Sequence, residues 1–167
     1  MRLALLVVLA SASAGCAGIP FLSPDVRTPT DRAREVEPKC QGFGDETAAP
    51  LLARSAIDSV EPAYSHVQSG PVSQEARLRG ARIHVRPLPG LSREAMDRAL
   101  ECHEARVMLG RVPAGPDDPY VLEDSWLDID VDSEGDGFVV SVLGDNIDAA
   151  RRVLERARRF AAAPAHP

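Results

Sequence analysis

The sequence predicts an α+β domain, a two-layer fold in which a four-stranded, largely antiparallel sheet carries two helices on one face in the order β-β-α-β-β-α. Three observations lead to it. Residues 126–132, Trp126-Leu127-Asp128-Ile129-Asp130-Val131-Asp132, alternate strictly between apolar and acidic side chains, the two-residue period of a half-buried strand. Two segments, 93–109 and 146–162, instead repeat their apolar residues at the 3.6-residue spacing of a helix. Between them, residues 138–143 form an apolar run directly after a turn containing Gly135 and Gly137.

Taken in order, residues 59–67 alternate loosely and include Pro62, which suits an edge strand. A Gly70-Pro71 turn leads to a second strand over 76–86, with Ala81, Ile83 and Val85 on one face and Arg82, His84 and Arg86 on the other. Gly80 marks a bulge, because the alternation changes phase there. Ser92 is placed as the N-cap of the first helix and Gly110 as its stop, with Leu91 and Met96 set for a hydrophobic staple. Met96, Leu100, His103 and Val107 fall on one stripe with Ala99 alongside; Glu94, Asp97, Glu101 and Glu104 are expected on the solvated side. A proline-rich loop over 113–119 precedes the strand 126–132, and 138–143 is expected to be central. The last helix begins at a cap near Asp145 or Asn146, turns Ile147, Ala150, Leu154, Ala157 and Ala161 inward, and carries its arginines outward. If strands 81–86 and 126–132 are neighbours, Arg82, His84 and Arg86 stand against Asp128, Asp130 and Asp132.

The chain of 167 residues has a formal net charge of −6 and no basic cluster, which argues against a nucleic-acid partner. Ahead of the domain, residues 18–50 are punctuated by Pro20, Pro24, Pro29, Pro38 and Pro50 without apolar periodicity, the pattern of a tether. In polyproline II conformation such a segment rises about 3.1 Å per residue and reaches on the order of 100 Å.

At the N-terminus, Arg2 precedes the apolar run 3–10 and the small residues 11–15, which end at Cys16. The run is too short to span a bilayer and reads as a secretory signal peptide. Ser13-Ala14-Gly15-Cys16 resembles the lipobox of bacterial lipoproteins, with Ser13 where that family usually has Leu. The resemblance implies that Cys16 becomes a diacylglycerol-modified, acylated N-terminus. Ala17, in place of the Asp that favours inner-membrane retention in that family, implies the periplasmic face of the outer membrane. Ala12-Ser13-Ala14 also fits the small-x-small rule for ordinary export, which would leave a soluble secreted or periplasmic chain. The resulting organisation is a signal peptide over 1–15, lipidated Cys16 and a disordered tether over 16–50, one α+β domain over 51–163 and a disordered tail over 164–167. Residues from about 83 to 160, notably 98–106 and 126–131, also resemble exported proteins of high-GC Gram-negative bacteria, a resemblance that implies an exported small domain and no described activity.

Lipid on Cys16 leaves Cys40 and Cys102, and an even pair in an oxidising compartment is expected to form a disulfide, the other arrangement being two independent thiols. Asp128-Ile129-Asp130-Val131-Asp132-Ser133 copies the first half of an EF-hand calcium loop. Ser133 replaces the required Gly, however, and Val139 the bidentate Glu, so the three aspartates read as a solvated strand face. Cys102, His103, Met96, Met108 and His84 would suit copper if they converged. A bridge to Cys40 would consume the thiol, and His103 reads as a hydrogen-bonded histidine at the core edge. No Gly-x-Ser-x-Gly, His-Glu-x-x-His or phosphate-cradling glycine loop is present, and adjacent Cys102 and His103 diverge by about 100° on a helix. The expectation is therefore a non-catalytic domain without a cofactor, partnered by the membrane through its lipid and by an envelope protein, with a copper-type metal module or an enzyme as alternatives.

Overall fold

Two β-hairpins, joined edge to edge, make the sheet. The computed structural model describes residues 27–68 and 74–162; the expected signal peptide over 1–15, Cys16, the expected Gly70-Pro71 turn and the expected tail over 164–167 lie outside them. Strands β1 (Ile57–Gln68) and β2 (Gln74–Val85) pair antiparallel, as do β3 (Asp128–Glu134) and β4 (Gly137–Leu143), and β2 pairs with β4 to give the order β1-β2-β4-β3. The fold is thus α+β, with the return strand central as its apolar composition requires.

Alternation fixes which face is buried. Val60, Ile83, Val140 and Val131 lie in one row across the sheet, and the last three are 1% exposed or less. They pack with Met96, Ala99 and Leu100 of helix α3 (Arg93–Met108) and Ala149, Val153, Leu154 and Ala157 of helix α4 (Ile147–Ala162) in one core. Each such Val, Leu, Ile or Met side chain stabilises the fold by roughly 1.5–3 kcal/mol relative to its exposed state. The Ser92 hydroxyl accepts from the Ala95 amide at the start of α3, and the Asn146 carboxamide oxygen accepts from the Asp148 and Ala149 amides at the start of α4. Ile147 and Ala161 are only half-buried, so the inner stripe of α4 is rotated towards Ala149 and Val153.

The bulge expected at Gly80 is present: the β1–β2 register shifts between Ala63 and Tyr64, opposite Gly80. A Cβ at Gly80 would stand 2.0 Å from the Val142 carbonyl oxygen, so only glycine allows β4 to approach there.

The expected neighbourhood of strands 81–86 and 126–132 is wrong. β4 lies between them, so Arg82 faces Ser141 and His84 faces Val139 before Asp130 and Asp132 are reached. His84 instead approaches Glu134 Oε2 at 3.0 Å from Nδ1, and Arg93 meets Asp132 at 3.6 Å. The apolar residues of 138–143 make them a better central strand than either charged one.

Within the stretch 16–50 expected as a disordered tether, the described residues from 28 onward hold helices instead. Thr28 opens helix α1 (Pro29–Val36) with a full capping box: its hydroxyl accepts from the Asp31 amide while the Asp31 carboxylate accepts from the Thr28 amide. Ala33 and Val36 are buried against Cys102 and Ala105 of α3. A 3-10 turn over Glu37–Cys40 and the short helix α2 (Asp45–Ala48) follow, and Leu51 enters the main core. Proline at the first position of a helix reads locally like proline in a linker, which is why composition missed this element.

Candidate binding cleft beside His103 and Asp118

The two remaining cysteines are disulfide-bonded, Cys40 at the end of the 3-10 turn and Cys102 on α3, with 5.6 Å between their Cα atoms. The bridge clamps α1 to the α3 face opposite the sheet. Ala33, Val36, Ala105 and Trp126 pack around it, so α3 is covered on two sides. Glu104, expected in solvent, is consequently 1% exposed. Its Oε1 accepts a 2.7 Å hydrogen bond from the Leu127 amide, and burial pushes its carboxyl up to about 9, with nearby Glu101 and Asp118 adding to the rise. At neutral pH it is protonated.

His103, the preceding residue, points elsewhere on the helix and meets Asp118 of the 113–119 loop, with Nε2 and Oδ2 2.7 Å apart and both side chains 6% exposed. Asp118 Oδ1 accepts from the Tyr120 amide, the local turn that Asp favours in loops. Consecutive residues of α3 therefore hold the connection to β3 at two points, His103 at its middle through Asp118 and Glu104 at its end through Leu127. The far side is held by α4, where Arg156 donates to the Val121 carbonyl and Arg159 to Asp117. Tyr120 is fully buried, its hydroxyl has no hydrogen-bond partner among the described residues, and burial raises its pKa.

Beside the His103–Asp118 pair lies a cleft of about 290 Å³ walled by Leu52, Pro113, Pro116 and Phe160. Its apolar walls and single buried polar pair are the composition of a site that encloses an apolar group and orients it by one hydrogen bond. Sequence reasoning placed His103 at the core edge, where it is, but gave no sign of Asp118. The only available signal was the turn chemistry of Pro116-Asp117-Asp118-Pro119.

The other sequence candidates do not come together. Cys102 is in the disulfide, His103 is held by Asp118, His84 is on β2, Met96 is in the main core and Met108 packs by the disulfide, so the copper set does not converge. Asp128, Asp130 and Asp132 are exposed on edge strand β3. Among the described residues, no group of three or more His, Cys, Asp or Glu side chains is arranged to hold a metal, and no helix is long and apolar enough to cross a membrane. Comparison with protein-family models, curated proteins and solved structures finds no match to this chain.

Proposed function

We propose that this chain is a lipid-anchored protein of the cell envelope, held through Cys16 at the periplasmic face of the outer membrane, whose folded domain binds an apolar group of an envelope partner without transforming it. The observation that carries the binding reading is the cleft beside His103 and Asp118. Its described lining contains Leu52, Pro113, Pro116 and Phe160 but no Ser, Thr, Cys or Lys to act as a nucleophile, so the polar pair has hydrogen bonding to offer. The Cys40–Cys102 bridge supports export, because such bonds persist in oxidising compartments.

Two measurements on the full chain test the two halves. Fractionation of cells making the protein with its own leader is expected to place it in the outer membrane, and recovery in the soluble periplasm would overturn the anchor. NMR titration of the folded protein with indole and n-hexanoate is expected to shift resonances of Leu52, His103 and Phe160, with the shifts weakened in Phe160→Ala. No movement around the cleft would overturn the binding reading.

A further inference from the structure

Strand β4 is apolar on both of its faces. Val140 and Val142 point to the helices and sit in the main core, whereas Val139 and Leu143 alternate to the opposite face and belong to neither core. A strand of that composition is normally covered on both sides. Here α3 and α4 both pack on the inner face. On the outer face Glu61, Arg82, Asp128, Asp130 and Asp132 are exposed, Leu143 is half-buried and Val139 is sheltered by its neighbours.

Across that outer face charge is sorted by strand. Arg82 of β2, Ser141 of β4 and Asp130 of β3 lie in one row, and His84, Val139 and Asp132 lie in the next. With neighbouring strands about 4.8 Å apart, a basic stripe and an acidic stripe run roughly 10 Å apart with uncharged β4 between them. Some of this charge is met within the chain: Glu61 stands opposite Arg82 on β1 and 3.8 Å from His84, Glu134 is 3.0 Å from His84, and Arg93 is 3.6 Å from Asp132. Arg82 and Asp130 themselves form no ion pair among the described residues. Asp130 faces like charge instead, since burial, Glu101 and Asp130 together raise the Asp97 carboxyl.

We propose that this outer sheet face is the interface of a two-fold homodimer. A sequence of basic, neutral and acidic strands complements itself. A two-fold axis parallel to β4, passing above Ser141 midway between the copies, lays β2 of each copy over β3 of the other and β4 over β4. Arg82 then meets the partner's Asp130, and His84 meets the partner's Asp132. Aligned sheets packed face to face stand about 10 Å apart with their strands within about 30° of each other, a gap that one long Arg and one short Asp side chain fill together. Val139 and Leu143 supply an apolar centre between the two charged rims. β1 falls outside the overlap, so Glu61 projects past the edge of the other copy. A partner must carry its charges in the reverse order across the face, and a second copy does so by symmetry.

Sedimentation equilibrium of the full chain as Cys16→Ser, which lipid cannot draw into micelles, is expected to show a monomer–dimer equilibrium between about 1 μM and 1 mM. Arg82→Asp and Asp130→Arg, each checked for its fold by circular dichroism, are each expected to weaken the dimer about tenfold or more. Asp130→Arg makes the acidic chain less negative, so its loss of dimer cannot come from general repulsion between copies. The exchanged chain Arg82→Asp/Asp130→Arg is expected to recover the homodimer, and the two single variants mixed in equal amounts to form a heterodimer. The proposal is overturned by a monomer throughout that range, by a dimer that either single reversal leaves intact, or by failure of the exchanged chain or the mixture to recover it.

Discussion

Glu104 and Leu127 are joined by a 2.7 Å hydrogen bond in which a buried carboxyl of α3 receives the amide that leads into β3. Burial raises this carboxyl from 4.5 to about 9 in the folded protein. Between those values the native state keeps a proton that the unfolded chain has released, so stability falls as pH rises across that window. The urea midpoint of the native protein is expected to decline from pH 5 towards pH 9 more steeply than that of Glu104→Gln, which retains an oxygen for the Leu127 amide and has no charge to lose. Parallel curves for the two proteins would show that Glu104 does not titrate in this way.

His103 and Asp118 form the second tie to the same connection. Truncation by His103→Ala leaves the buried Asp118 Oδ2 without its partner while Oδ1 keeps the Tyr120 amide, a loss of about 3 kcal/mol. The double variant His103→Ala/Asp118→Ala is expected to be less destabilised than the two single changes added together. Additive losses in chemical denaturation would mean that the two side chains do not interact.

Reduction, or Cys40→Ser with Cys102→Ser, opens a cross-link across a separation of 62 residues. The chain-entropy model gives about 4 kcal/mol for a loop of that size. Amide exchange is expected to accelerate first over 28–50, because the bridge and the small cluster around Ala33 and Val36 hold that segment to α3 together with only a few polar contacts, such as Arg106 to the Phe43 carbonyl and Arg111 to Glu37. Uniform acceleration over the whole domain would place the segment inside the main cooperative unit instead.

Gly80→Ala directs a methyl group to within 2.0 Å of the Val142 carbonyl oxygen in the middle of the sheet. A loss of roughly 2 kcal/mol or more is expected, against under about 0.5 kcal/mol for an exposed control such as Arg77→Ala. Equal effects in thermal melts would contradict the close approach of β2 and β4.

Much of this fold was legible because its strongest signals are local. Strict alternation over 126–132, the Ser92 cap and the phase change at Gly80 each specify a structure from neighbouring residues alone. The failures involve tertiary coverage. Glu104 lies on the polar side of α3 by helical period, and only the docking of α1 and the 111–127 connection removes it from water. α1 itself hid behind its proline, although Thr28 and Asp31 at capping-box spacing were visible and Ala33, Val36 and Cys40 repeat at helical intervals. Strand order failed because pairing was inferred from charge complementarity, whereas burial decides which strand is central. For the cleft, His103 was legible as a core-edge residue, while Asp118 depended on a contact 15 residues away that periodicity does not encode.

The proposed lipid anchor on Cys16 is read most directly by intact mass spectrometry of the protein extracted from membranes. The predicted result is a chain that begins at Cys16, carries a diacylglyceryl group and an amide-linked acyl chain, and is lighter by two hydrogens for the Cys40–Cys102 bridge. A lipid-free chain that begins at Gly15, after cleavage at Ala14, would contradict it.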